Sequence, residues 1–170
     1  TEVTHKPPAY ETPVISNDSP EQLQELVTAE AADDEFVRVI DYIKTVYIDL
    51  KYATTDNFTG TVVYDFTDAY LRYGTVKKLM IIQDELAEQG LGLKIWDGFR
   101  PVEAQFKLWE VCPDPAYVAN PNTGHSSHSR GNTVDATLVY LNGTEVEMPT
   151  GFDDFSARAD RDYSDVGTAA

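Results

Sequence analysis

A histidine and an aspartate seven residues apart stand in the stretch Ser126-Ser127-His128-Ser129-Arg130-Gly131-Asn132-Thr133-Val134-Asp135. A neutral imidazole nitrogen and a carboxylate oxygen both suit Zn²⁺, and a catalytic zinc site needs only three protein ligands and a water. The histidine lies in a Ser/Gly loop, where such a residue is ordinarily solvated. The aspartate enters an apolar run, Val134 to Leu141, where a carboxylate needs a partner or a metal. His125 is a competing ligand three residues before His128. His5 lies in the string Glu2-Val3-Thr4-His5, at the far end of the chain from these residues. A second chemically loaded stretch is Trp96-Asp97-Gly98-Phe99-Arg100-Pro101, a sharp strand-to-helix junction. From its position after a buried strand the Arg100 guanidinium can reach a site, and Asp97 is read as the group that orients it. The plain structural alternative is an Arg–Asp pair that merely fixes the turn.

The elements that must hold these residues are legible in outline. Leu91 to Trp96 reads as a strand and Val102 to Val111 as a helix carrying Phe106, Leu108 and Trp109. Thr133 to Leu141 and Glu145 to Met148 read as a hairpin around Asn142-Gly143, a strong turn dipeptide. Between about Thr75 and Gln89, the residues Val76, Leu79, Met80, Ile82, Leu86 and Ala87 fall on one broad helical face that Gly90 ends. Phe36 to Tyr52 is rich in β-branched and aromatic residues and favours strands. Asp56 to Gly60 and Cys112 to Gly124 read as loops. Ser19-Pro20-Glu21-Gln22 opens a short helix with Ser at the N-cap and Pro at its first position. Residues 1–18, with Pro7, Pro8 and Pro13, read as a flexible tail or linker, of the kind left after a signal or lipid-anchor sequence is removed. Strands and helices mixed without strict alternation give an α+β class.

Composition narrows the functions. The 170 residues suffice for one domain, and an apolar share of 42% is ordinary for a globular chain. A net charge of −16 argues against nucleic acid and anionic membranes as partners. There is no run of 18 apolar residues to span a bilayer. Cys112 is the single cysteine, which excludes an internal disulfide and a cysteine-based zinc cluster.

The pattern Ser-x-His-x-x-Gly-x-x-x-Asp over Ser126, His128, Gly131 and Asp135 resembles the signature of the D-alanyl-D-alanine dipeptidase and carboxypeptidase metallopeptidases, the VanX-like enzymes of peptidase family M15. Asp97-Gly98-Phe99-Arg100-Pro101 is similar to that family's Asp-Gly-[Tyr/Phe]-Arg-Pro. Asp49 to Gly60 resembles its N-terminal segment, and Gly151-Phe152-Asp153 its Phe-Asp. Together these blocks span about Phe36 to Phe155. The resemblance implies a small antiparallel sheet flanked by helices, of the DD-peptidase (hedgehog-like) type, with residues 19–170 as one zinc D,D-peptidase domain. It implies zinc held by His128 and Asp135, and Arg100 as the cation that polarises the scissile carbonyl and steadies the oxyanion. Tyr52 then lines the substrate pocket, Ser126 contacts the substrate, and Asp153 holds the ammonium of the dipeptide. Without the resemblance, Asp153 and Asp154 would read as surface acids.

Two departures bear on function. The connection from Arg100 to Ser126 is shorter than in the VanX enzymes, which opens the pocket to longer substrates. The family's third zinc ligand and general base lie on a later Glu-x-x-His, which does not follow Asp135 here. The expectation is therefore a C-terminally incomplete D-Ala-D-Ala dipeptidase that draws its last ligand from a separate or lost segment. Alternatives are a D,D-carboxypeptidase acting on peptidoglycan stem peptides and a non-catalytic module that binds D-Ala-D-Ala ends or cell-wall peptides. A bacterial cell-envelope or extracellular location is expected, with the cytoplasm as the alternative.

Overall fold

Strand β4, Leu91–Asp97, is the element on which the site depends; the computed structural model describes residues 31–159 around it. The expected tail, the helix start at Ser19-Pro20 and the Glu2–His5 string lie outside those residues. In chain order the elements are β1 (Phe36–Arg38), α1 (Val39–Tyr42), β2 (Tyr47–Ile48), β3 (Tyr70–Arg72), α2 (Tyr73–Ala87), β4, α3 (Val102–Val111) and β5 (Asp135–Tyr140). Short 3-10 turns occupy Lys51–Ala53, Ser127–Arg130 and Ala157–Ala159. The architecture is α+β.

Two small sheets form. β1 pairs antiparallel with β3, while β2, β4 and β5 make a three-stranded sheet in that order. The expected antiparallel sheet is corrected in one respect. β4 and β5 are antiparallel, but β2 joins β4 in parallel through Tyr47 opposite Lys94 and Ile48 opposite Ile95. The reason is connection length: β2 reaches β4 only after β3 and α2, a crossover long enough for a parallel pair. The strand-rich reading of Phe36 to Tyr52 is also corrected. Val39–Tyr42 forms a helical turn and Lys51–Ala53 a 3-10 turn, which leaves two short strands. Val39, Ile43, Val46, Leu50 and Tyr52 all point into the core from this winding path, so burial rather than strand propensity decides it.

Helix α2 begins two residues earlier than the periodicity suggests and buries Val76, Leu79 and Gln83, whereas Ile82 stays 42% exposed. Gln83 takes the inward place because its Oε1 accepts the Leu93 N–H at 2.9 Å and its Nε2 donates to Thr45 Oγ1 at 3.1 Å. Gly92 leaves the room, since a Cβ there would stand 3.1 Å from Gln83 Nε2. The apolar centre joins Val39, Leu71, Val76, Ile95 and Leu108, one or more residues from nearly every element, so the flanking helices clamp β4 in place. The hairpin turn at Asn142-Gly143 forms, with Gly143 at φ +85°. Its second arm is reduced to the Val139–Glu145 bridge.

Candidate metal and substrate site

At the end of β4 the register slips. Ile95 faces Ala136 but Asp97 faces Asp135, with Trp96 bulged between them. A bulge re-aims the side chains beyond it, and here it sets two carboxylates across from each other at the mouth of the sheet. The chain then turns through Gly98 into α3, and the 3-10 turn Ser127–Arg130 closes over the same place. Ser126 caps that turn by accepting the His128 N–H at 3.3 Å, and Gly131 ends it at φ +73°. A Cβ on Gly131 would fall 2.1 Å from Phe36 Cε1, so this glycine of the motif is required on two grounds, conformation and space. Both carbonyl and amide of the turn are used: Arg100 N–H donates to His128 O at 3.3 Å, which ties the two motifs together.

One ligand atom from each of Asp97, His128 and Asp135 can be chosen so that all three lie within 4.8 Å of one another. The three are not equivalent. His128 Nδ1 lies 2.9 Å from Gly98 O, an acceptor, so Nδ1 carries the proton in the neutral ring and Nε2 is left with its lone pair. That Nε2 stands 3.4 Å from Asp135 Oδ2. Asp97 is fully buried and already engaged: Oδ1 accepts from Tyr64 Oη at 2.6 Å and from Gly98 N at 2.9 Å, while Oδ2 takes Arg100 Nη2 at 2.5 Å. The donor pair open to a cation is therefore His128 Nε2 with Asp135. Burial holds the Asp135 carboxyl above its ordinary value; His128 draws it back, and the Asp97 charge pushes it further up.

Arg100 is 8% exposed. Besides Asp97, its Nε donates to Tyr64 Oη at 3.2 Å and its Nη1 to Gln105 Oε1 at 2.9 Å. Its Cζ lies 4.9 Å from the centre of the Tyr52 ring. Burial works against the guanidinium charge, but Asp97 and the two tyrosines more than offset it, so the group is held charged. The Tyr52 hydroxyl donates to Asp153 Oδ2 at 2.5 Å, and burial followed by that carboxylate pushes the phenol well above its ordinary range. Asp153 sits at φ +50°, a left-handed position that aspartate tolerates, and burial raises its carboxyl in spite of the Tyr52 bond. Phe152 beside it packs between Tyr52 and Trp96, with ring centres 5.6 and 5.7 Å away.

A buried cation, a histidine–carboxylate donor pair and a second carboxylate from a remote segment thus gather in one cluster. Comparison with known proteins decides the family. Residues 32–170 match the family model of the M15 peptidases described as D-ala-D-ala dipeptidase. The chain belongs to that family. It is 38% identical over 123 residues to the D-alanyl-D-alanine dipeptidase of Escherichia coli, an alignment covering 72% of this chain and 63% of that protein. To the D-alanyl-D-alanine dipeptidase of Enterococcus faecalis it is 32% identical over 81% of this chain and 78% of the relative. For that of Streptomyces coelicolor the figures are 34%, 79% and 77%. The chain thus spans less than two thirds of the length of the Escherichia coli relative.

Within this M15 chain the residues read from the sequence divide by position. His128, Asp135, Arg100, Tyr52 and Asp153 are joined in one cluster by direct contacts and through Asp97, although Tyr52 and Asp153 are 101 positions apart. Ser126 is buried beside them, its Oγ engaged by the backbone it caps. His125 is exposed and outside the three-residue cluster. Asp154 is exposed and accepts from Ser156 N, as a surface acid would. Two residues went unread. Tyr64 bridges Arg100 and Asp97 from a stretch with no motif. Gln105 had one visible signal, a polar side chain on the buried face of α3 between Ala104 and Leu108.

Proposed function

We propose that this protein hydrolyses D-alanyl-D-alanine with a zinc-activated water, His128 and Asp135 being two of the zinc ligands. The observation that carries the reading is the 3.4 Å between His128 Nε2 and Asp135 Oδ2, with Nδ1 turned to Gly98 O. Two donors each about 2.0–2.1 Å from a tetrahedral ion stand roughly 3.3–3.4 Å apart, so this pair suits zinc without rearrangement. When bound, the metal would lower the pKa of a coordinated water toward about 7. The third ligand and the acceptor for the water proton belong, in this reading, to the Glu-x-x-His segment that the family resemblance implies.

The remaining steps belong to side chains of the cleft. Arg100 has five N–H groups, three of them engaged by Tyr64, Gln105 and Asp97. One N–H on Nη1 and one on Nη2 have no partner among the described residues and would steady the oxyanion as it forms, from a cation that needs no reorganisation. Asp153 takes the ammonium of the dipeptide, an ion that would offset the burial cost of its carboxylate. Tyr52 holds Asp153 in place and forms one wall of the pocket, and the Ser126 hydroxyl hydrogen, without an acceptor among the described residues, can turn toward substrate. The α+β core around β4 agrees with a DD-peptidase (hedgehog-like) arrangement. A cell-envelope or extracellular site of action goes with this reading. Among the described residues no helix is long and apolar enough to cross a membrane.

The test uses the full-length protein, its zinc content and the release of D-alanine. His128→Ala and Asp135→Ala are expected to lose zinc, and Arg100→Ala to keep zinc while losing about 10²-fold or more in turnover. Undiminished zinc in His128→Ala, or parental turnover in Arg100→Ala, would overturn the assignment.

A further inference from the structure

Gln105 is 2% exposed, in the middle of α3, and both ends of its amide are committed. Oε1 accepts from Arg100 Nη1 at 2.9 Å, and Nε2 donates to the carbonyl of Ala119 at 2.7 Å. The amide cannot be reversed: guanidinium only donates and a carbonyl only accepts, so each partner selects its end. We propose that Gln105 is a positioning residue for Arg100, coupling the guanidinium to the loop at Ala119 and so setting the direction of its free N–H groups. The proposal rests on the reading of Arg100 as the group that steadies the oxyanion.

The physical case is one of degrees of freedom. Tyr64 and Asp97 engage Nε and Nη2, leaving Nη1 as the nitrogen with no other hydrogen-bond partner among the described residues. A guanidinium anchored on two nitrogens by a phenol and a carboxylate can still tilt about that edge. A third bond at Nη1 removes the tilt, and a planar fork pre-set in this way loses little when it meets its target. Gln105 is itself not free to follow the arginine, because Ala119 O holds its other end. Ala119 in turn follows Val118, 3% exposed in the core, whose N–H donates to Asp114 O at 2.9 Å. The loop between α3 and the His128 turn is thereby tied to the reacting end of the pocket by one side chain. A glutamine kept on the apolar face of a helix, where burial of an amide costs unless both ends are bonded, has this pair of bonds as its use.

The experiment is a double-mutant cycle in the full-length protein. Gln105→Met keeps the length and apolar stem but removes both hydrogen bonds, and Gln105→Glu keeps an acceptor for Arg100 while setting a second acceptor against the Ala119 carbonyl. kcat and KM are measured with D-Ala-D-Ala, and affinity with a phosphinate dipeptide analogue that is tetrahedral where the carbonyl would be; unfolding temperature and zinc content are followed in parallel. Loss of a hydrogen bond to a charged group corresponds to about tenfold or more. Gln105→Met should lower kcat and phosphinate affinity by about that factor, with KM within roughly twofold, and Gln105→Glu, which keeps the Arg100 bond and loses the Ala119 bond, should fall between it and the parent. In an Arg100→Ala background Gln105→Met should add nothing. A full additional loss in that background, or parental kcat in Gln105→Met while Arg100→Ala is inactive, overturns the positioning role alone. Parental turnover in Arg100→Ala overturns the underlying reading and this one with it. Should Gln105→Met fail to fold, Gln105→Leu decides: a roughly tenfold loss of phosphinate affinity at parental zinc content upholds the role, and near-parental affinity overturns it.

Discussion

Removing one oxygen atom, by Tyr64→Phe, should destabilise this protein far more than a surface change would. The Tyr64 ring is 3% exposed, stacks on Phe66 at 4.6 Å and 14°, and lies 5.7 Å from the Tyr52 ring. Phenylalanine reproduces those contacts, so little packing changes. What is lost is the hydroxyl that donates to Asp97 Oδ1 and accepts from Arg100 Nε. Burial and the Asp97 charge push this phenol well above its ordinary range, so it is a hydrogen-bond donor at every working pH. Asp97 Oδ1 keeps the Gly98 N–H after the change. Arg100 Nε keeps nothing, and an unpaired donor on a buried charged group costs about 2–3 kcal/mol. Adding about 1 kcal/mol for the weakened Asp97 interaction gives a loss of about 3–4 kcal/mol. At roughly 3 °C per kcal/mol for a domain of this size the unfolding temperature should fall by about 10 °C. Urea titration of the metal-free protein measures the loss directly, with an unchanged slope if only stability has moved. A loss below about 1 kcal/mol would refute the argument, because it would mean that Arg100 Nε finds another partner in the cleft.

Two other outcomes follow from the geometry. Gly131→Ala adds a Cβ 2.1 Å from Phe36 Cε1 and 3.2 Å from Arg72 Cγ, at a left-handed position. Conformational strain of about 1 kcal/mol and overpacking of about 1–3 predict a loss of roughly 2–4 kcal/mol in urea, and a loss under about 1 kcal/mol would contradict it. Asp153→Asn concerns pH. Burial holds the Asp153 carboxyl above its ordinary 3.8, so across that interval the folded chain keeps a proton that the unfolded chain has released. Stability then falls as the pH climbs from 3.8 through the raised folded value. An amide still accepts from Tyr52 without the charge, so in metal-free protein Asp153→Asn should melt higher than the parent at pH 7. The gain should vanish below about pH 3.8, where both states of the parent are protonated; a gain that persists there would show that charge is not its cause.

Much of the cleft was readable because its chemistry is local in the chain. His128, Gly131 and Asp135 belong to one ten-residue string, and Asp97 and Arg100 to one strand-to-helix turn, so the motifs that resemble the family's are written along the chain. Helices α2 and α3 were readable for the same reason: their apolar repeat is a property of neighbours three and four apart, and α3 runs from Val102 to Val111 as the pattern requires. Tertiary structure decided what depends on partners far away. The Trp96 bulge that sets Asp97 across from Asp135 exists only once β4 has met β5. Tyr52 meets Asp153 across 101 positions, and Tyr64 meets Asp97 across 33. Gln83 and Gln105 stand inside the protein against their polarity because Leu93 N–H, Arg100 and the Ala119 carbonyl wait there for them. Ile82, one step round the helix from Gln83, is 42% exposed. Periodicity reports which face of an element is apolar, but a buried polar group is stabilised by the geometry of its partner, and that geometry is written only in the folded chain.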